Sequence, residues 1–157
     1  MESLAAEVGN QLLARRQLLA LAESCTGGLI AKLVTDVAGS SAWFERGLVT
    51  YSNQSKQDLL GVPAEILRAQ GAVSEPCARA MADGLLRGSP AHWGIAVTGI
   101  AGPAGGTPEK PVGLVWLALA RRGTDTRTRE LRLSGDREQI RAHTARTALQ
   151  WLRDEMA

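Results

Sequence analysis

The apolar positions change period several times along the chain, and each change predicts an element. Over residues 2–16, Leu4, Val8 and Leu12 recur at helical spacing, and the unbroken run "LLALAE" that follows reads as a short buried strand. After Gly27 and Gly28, "LIAKLVTDVA" returns to a helical period and is expected to stop at Gly39. "WFERGLVTYS", with Leu48 and Val49 inside it, predicts a second strand, and the polar segment "NQSKQDLLG" a helix after it. Two more helices follow: "PAEILRAQ", with Pro63 expected at its first position, and "SEPCARAMADGLLRG", with Ser74 as its cap.

"HWGIAVTG" reads as a buried strand that opens into "IAGPAGGTPEKP", a stretch too rich in Gly and Pro for regular structure. "VGLVWLALA" and "RTRELRLS" flank the polar turn "RRGTD" and predict an antiparallel hairpin. From Asp136 onward the chain is helical, with Ile140, Ala148, Leu149 and Leu152 on the inner stripe. This alternation predicts an α/β fold: a three-layer α/β/α domain around a mixed, mostly parallel sheet with a late antiparallel hairpin. No repeat or linker interrupts the pattern, so residues 1–157 read as one domain. A chain of this length buries about two-thirds of the surface its unfolded form exposes, so a real core is available.

Composition narrows the function. With 45% hydrophobic and 22% charged residues, the chain has ordinary globular character. No run approaches the roughly 20 apolar residues that span a bilayer, so no membrane association is expected. "MESLAAEVGNQLLARRQ" has no basic segment leading into a long apolar core, which makes the cytoplasm the expected compartment. Cys25 and Cys77 are far apart and form no ligand pair, and His92 and His143 share no spacing with a carboxylate or cysteine. No metal and no cofactor is expected. The net charge of +2 is spread along the chain, and a single Phe and a single Tyr leave little to stack on bases, so nucleic acid is not an expected partner. A small α/β domain of this kind is expected to pair with itself as a homodimer or higher oligomer. Only Lys32, Lys56 and Lys110 among the 18 basic residues are lysines, which singles each of them out.

Ligands of open α/β sheets gather where loops leave the carboxyl ends of the strands, and three segments qualify. In "AESCTGG" a strand runs into a helix through Ser24, Cys25, Thr26, Gly27 and Gly28. Amides at that helix start suit an anion or an oxyanion, while Ser24 or Thr26 fits the role of a helix cap equally well. In "YSNQSK", Tyr51 and Lys56 stand at a strand end and on the next helix. A lysine neutralised by burial can take a serine's proton, and a tyrosine can relay it; the alternative is a strand-end phenol and a solvated amine. "VTGIAGPAGG" offers Thr98, Gly99 and Gly102, with amides suited to a phosphate or an oxyanion. Lys110 and Arg137 are further anion-binding candidates, with a solvated loop and pairing to Asp136 or Glu138 as the alternatives.

Taken in order, "AESCTGG", "GSSAWFERGLVTYSNQSK", "LGV", "GAVSEP", "TGIAGPAGG", "KPVGLVW" and "GDR" resemble the C-terminal domain family of the competence-induced protein CinA, over nearly the whole chain. Stand-alone members of that family are nicotinamide-nucleotide amidohydrolases. Two-domain relatives carry a further N-terminal domain, which a chain opening on its own first helix at Met1 is expected to lack. The resemblance implies hydrolysis of nicotinamide mononucleotide to nicotinic acid mononucleotide and ammonia, which feeds NAD synthesis. It places the family's serine, tyrosine and lysine on Ser24, Tyr51 and Lys56, with Thr98 and Arg137 in support. Thr26, Gly27, Gly28, Gly99 and Gly102 complete the expected substrate contacts. The alternative is a non-catalytic nucleotide- or phosphate-binding module, in which Ser24 only donates a hydrogen bond. A role on DNA comes last, against the sparse basic surface.

Overall fold

The computed structural model describes residues 2–157. Helix α1 (Glu2–Arg15) leads into β1 (Leu19–Glu23), α2 (Leu29–Thr35) and β2 (Phe44–Val49). Three helices follow, α3 (Asn53–Leu60), α4 (Ala64–Gln70) and α5 (Glu75–Arg87), and then β3 (Trp93–Gly99), β4 (Leu114–Arg121), β5 (Arg127–Arg132) and α6 (Arg137–Met156). The strands form one sheet in the order β2-β1-β3-β4-β5. β1 runs parallel to both β2 and β3, while β4 is antiparallel to β3 and to β5, so four strands share a direction and β4 opposes them. The late hairpin is β4–β5. No helix among the described residues is long and apolar enough to cross a membrane.

Strand alternation divides the core by side-chain size. Leu19, Leu21, Ile95, Val97, Leu117 and Leu119 face α1, α2 and α6, where Val8, Leu12, Ile30, Leu149 and Leu152 close over them. Ala20, Ala22, Ala96, Ala118 and Ala120 face the other way, towards Met81, Leu85 and Leu86 of α5. Small side chains on that face let α5 lie close to the sheet. On another side α5 lies close against α3, so Gly84 has no room for a Cβ, which would stand 1.7 Å from the Leu60 carbonyl oxygen at the end of α3. Truncating a leucine on the larger face costs about 2–5 kcal/mol.

Two expected boundaries move. α2 ends at Thr35, not at Gly39, because the chain must turn back to β2; Gly39, at φ 83, instead introduces a single 3-10 turn over Ser40–Ala42. Pro63 caps α4 from outside in an extended conformation rather than occupying its first turn. Ser74 caps α5 as expected, its hydroxyl accepting from the Cys77 amide, and Asp136 forms a capping box with Gln139 at the start of α6.

The topology also fixes where a ligand can enter. From β1 the chain passes through α2 to β2 on one side, and β2 returns through α3, α4 and α5 to β3 on the other. The connections diverge at β1, which opens a crevice between the carboxyl ends of β1 and β3.

Candidate active site

β1 ends in a buried glutamate followed by a serine. The Ser24 amide donates to the Val97 carbonyl at 3.0 Å, a last rung against β3, and the Gly27 amide donates to the Ser24 carbonyl at 3.0 Å to close the turn. Gly27 and Gly28 hold φ of 59 and 102, which carries the chain from strand into helix with no Cβ to strain. Glu23 folds back beneath this turn. Its carboxylate accepts from the Thr26 hydroxyl at 2.6 Å and from the Ile30 and Ala31 amides at 3.0 Å each. The free donors at the start of α2 are therefore taken by the chain's own carboxylate. Thr26, Gly27 and Gly28, expected to contact the substrate, are not among the residues that line the cleft.

Lys56 comes to the serine from α3, whose start is held by the Ser52 side chain accepting from the Ser55 amide. The amine is buried, with the residue 1% exposed, and lies 3.1 Å from Ser24 Oγ. Its other neighbours are the carbonyl oxygens of Thr50 at 2.8 Å and Tyr51 at 3.2 Å. This set serves both protonation states. An ammonium donates to all three oxygens, whereas a neutral amine donates to the two carbonyls and accepts from the serine hydroxyl. Burial pulls the Lys56 amine below the usual lysine range, and the nearby thiols of Cys77 and Cys25 offset this only in part. Burial also pushes both thiols up to about 11, so at neutral pH Cys25, beside Ser24, is a protonated thiol.

Tyr51 contributes differently from the expected relay. Its backbone carbonyl, not its phenol, meets the lysine, while the side chain is 61% exposed and its hydroxyl accepts from Arg137 Nη2 at 3.2 Å. Arg137, at the start of α6, also donates to the Gly102 carbonyl at 2.8 Å, tying the loop after β3 to the same rim.

At the end of β3, Thr98 is buried and donates its hydroxyl to the Ala72 carbonyl at 2.9 Å. A Cβ on Gly99 would stand 2.7 Å from Val115 Cγ2, so the strand leaves the sheet here only as glycine. The Ile100 amide is used by the Leu114 carbonyl, but those of Ala101, Gly102, Ala104 and Gly105 meet no acceptor among the described residues.

These groups surround one cleft of about 280 Å³. Of the residues expected from sequence, Ser24, Tyr51, Lys56, Thr98, Gly99, Gly102 and Arg137 line it together. Lys110 does not; its amine donates to the Gln70 carbonyl at 2.5 Å. Lys56 and Arg137 are the cationic residues of the lining, and no carboxylate stands among them. Asn53 on the rim, the buried Glu23, and Arg141, whose guanidinium donates to the carbonyls of Cys25 and Thr26, escaped the sequence reading. The available signals were an acid closing an apolar run and an arginine one helical turn beyond Arg137.

Residues 1–156 match the family model described as the CinA C-terminal domain. A CinA-like protein of Syntrophotalea carbinolica is 54% identical over 97% of this chain, which spans only 37% of that relative's length. The nicotinamide-nucleotide amidohydrolase PncC of Escherichia coli K12 is 50% identical over 95% of this chain and 90% of its own. Among solved structures, the competence/damage inducible protein CihA of Agrobacterium tumefaciens superposes with a TM-score of 0.94 at 49% identity, covering 96% of this chain and 92% of that one.

Proposed function

The chain belongs to the CinA C-terminal domain family, and we propose from that membership and the site geometry that it hydrolyses the carboxamide of nicotinamide mononucleotide, giving nicotinic acid mononucleotide and ammonia. The observation that carries the reading is the 3.1 Å contact between Ser24 Oγ and a buried Lys56 amine that meets no carboxylate among the described residues. The likeness to the Escherichia coli amidohydrolase over nearly the full length of both chains supports the choice of substrate. So does a cleft that is cationic without a balancing acid, which suits a substrate carrying phosphate.

The chemistry is acyl transfer. Ser24 Oγ attacks the amide carbon as its proton passes to the neutral Lys56 amine, and the carbonyl oxygen becomes an oxyanion. Lys56 returns that proton to the departing nitrogen, the C–N bond breaks, and ammonia leaves an ester on Ser24. Water then attacks the ester carbon and gives a proton to Lys56, which passes it back to the serine as the acid is released. Lys56 is the direct base here, since Tyr51's phenol is bound to Arg137 rather than to the amine. The oxyanion falls to amides without an acceptor among the described residues, those of Cys25 and Thr26 in the serine turn and of Ala101 and Gly102 in the facing loop, because the Gly27 amide is already used by the Ser24 carbonyl. Arg137 and the outer amides of Ala104 and Gly105 take the phosphate at the rim. The product returns a spent pyridine nucleotide to NAD synthesis.

Purified protein incubated with the mononucleotide tests this by ammonia release and by appearance of the acid, with Ser24→Ala as control. Loss of turnover on removing the substrate phosphate, in the riboside, is expected if Arg137 holds it. Calorimetric binding of the mononucleotide with no ammonia formed would replace the hydrolase with a non-catalytic nucleotide-binding module.

A further inference from the structure

Arg141 lies outside the cleft lining, yet it makes two hydrogen bonds to the turn that carries the serine. From α6 its Nε donates to the Cys25 carbonyl at 3.1 Å and its Nη2 to the Thr26 carbonyl at 2.9 Å. These two oxygens belong to the Cys25–Thr26 and Thr26–Gly27 peptide units, the second and third after the Ser24 α-carbon. A planar peptide cannot turn its carbonyl without turning its amide, so two charged donors on consecutive units fix the orientation of the whole turn. The site for the guanidinium is built into the backbone: a Cβ on Gly27 would stand 3.2 Å from Arg141 Nη2, tighter than ordinary packing. On the opposite side the Glu23 carboxylate holds Thr26, Ile30 and Ala31. The serine turn is gripped between an anion from β1 and a cation from α6.

We infer that Arg141 is a positioning residue for Ser24: it holds the Cys25 and Thr26 peptide units so that the serine hydroxyl stays within proton-transfer distance of Lys56. The inference rests on the reading of Ser24 as nucleophile. A guanidinium is required rather than any cation, because one planar fork meets two carbonyls that are fixed relative to each other. Since Arg141 does not itself line the cleft and reaches it only through the Cys25 and Thr26 backbone, it acts on the reaction step and leaves substrate binding alone.

Arg141→Ala and Arg141→Lys, with the exposed Arg146→Ala on the same helix as control, give the test. In the alanine variant kcat for ammonia release is expected to fall roughly tenfold to a hundredfold, with KM held within about twofold. The lysine variant, able to reach one carbonyl at a time, falls between it and the unaltered protein. A second arm measures the rate at which a fluorophosphonate labels Ser24, which needs an activated hydroxyl but not this substrate. It is expected to drop in the same proportion as kcat, and Arg146→Ala is expected to change neither rate. Equal kcat and equal labelling in the alanine variant, or a loss confined to KM, would overturn the assignment. An unaltered protein that labels at Ser24 but releases no ammonia would remove the proposed substrate instead, and the labelling rates would still decide for or against Arg141. Should Arg141→Ala fold poorly, the lysine variant's labelling rate carries the decision: no loss with lysine would overturn the need for a fork.

Discussion

Two glycine-bearing turns leave the carboxyl ends of neighbouring parallel strands, and the protein uses them in opposite ways. The turn after β1 commits its helix-side donors internally: the Ile30 and Ala31 amides and the Thr26 hydroxyl go to Glu23, and the Gly27 amide goes to Ser24. The loop after β3 anchors its ends, through the amides of Ile100, Thr107, Lys110 and Gly113, and leaves those of Ala101, Gly102, Ala104 and Gly105 between them without acceptors among the described residues. One turn is a rigid mount for a nucleophile, and the other is an open set of donors. Glycine content alone does not separate a ligand site from a scaffold; the fate of each N–H does.

The largest test of that division removes the chemistry and leaves the mount. Ser24→Ala and Lys56→Met are each expected to cut ammonia release roughly a thousandfold or more. The melting temperature should move by no more than about 4 °C, since Lys56→Met replaces a buried cation by an apolar chain of similar length. Turnover surviving in either variant would return Ser24 to the role of a structural hydroxyl.

A sharper comparison places the same substitution in each turn. In Gly99→Ala the new Cβ meets Val115 Cγ2 at 2.7 Å and the Leu114 carbonyl at 3.0 Å, so the loop and its amides must shift. Turnover per folded molecule is expected to fall about a hundredfold, the scale of a small displacement of catalytic groups. Gly28→Ala has room, its Cβ being 3.7 Å from Val49 Cγ2, but φ 102 strains an L-residue. It should cost about 1–2 kcal/mol in urea denaturation and leave turnover within about twofold. Reversed outcomes would mean that the donors used in catalysis belong to the β1 turn.

Next in size is the internal anion. Glu23→Gln presents an amide N–H₂ where the carboxylate accepted from backbone, leaving a buried donor facing a donor. The expected loss is about 2–3 kcal/mol in urea denaturation. An unchanged midpoint would show that α2 does not depend on this acceptor.

Sequence reading reached the strands and helices where periodicity is set by burial. β1 and β3 are apolar up to Glu23 and Thr98 at their carboxyl ends because helices cover both faces of the sheet, and the α5 face declares itself in alanines. It missed the end of α2, since local helical preference carries no information on where β2 must begin. In the site, Ser24, Lys56, Thr98 and Arg137 stood out as reactive or charged types at strand ends and a helix start. What stayed hidden was competition for donors. Arg141 reaches Cys25 across 116 positions of chain, and Glu23 reached the α2 amides before any substrate could. Tyr51 shows a related limit: spacing puts the residue beside Lys56 without revealing that its carbonyl meets the amine while its phenol meets Arg137.

The smallest expected effect is a slope with pH. Burial depresses the Lys56 value in the folded protein below the ordinary 10.5 of the unfolded chain. Between the depressed value and 10.5 the unfolded chain holds a proton that the folded one has released, so unfolding takes up a proton there. Stability therefore rises with pH through that window; below it both states are charged, and the buried ammonium is a constant cost. Lys56→Met removes this contribution, so the difference in urea midpoint between the two proteins should shift in favour of the unaltered one as pH rises from about 7 to about 10. The same deprotonation supplies the base, so kcat/KM should climb over the pH range in which the folded-state amine loses its proton. Parallel midpoint curves for the two proteins would mean that the amine titrates alike in the folded and unfolded states. Lys56 would then lack the depressed basicity that sets the serine mount apart from the open loop beside it.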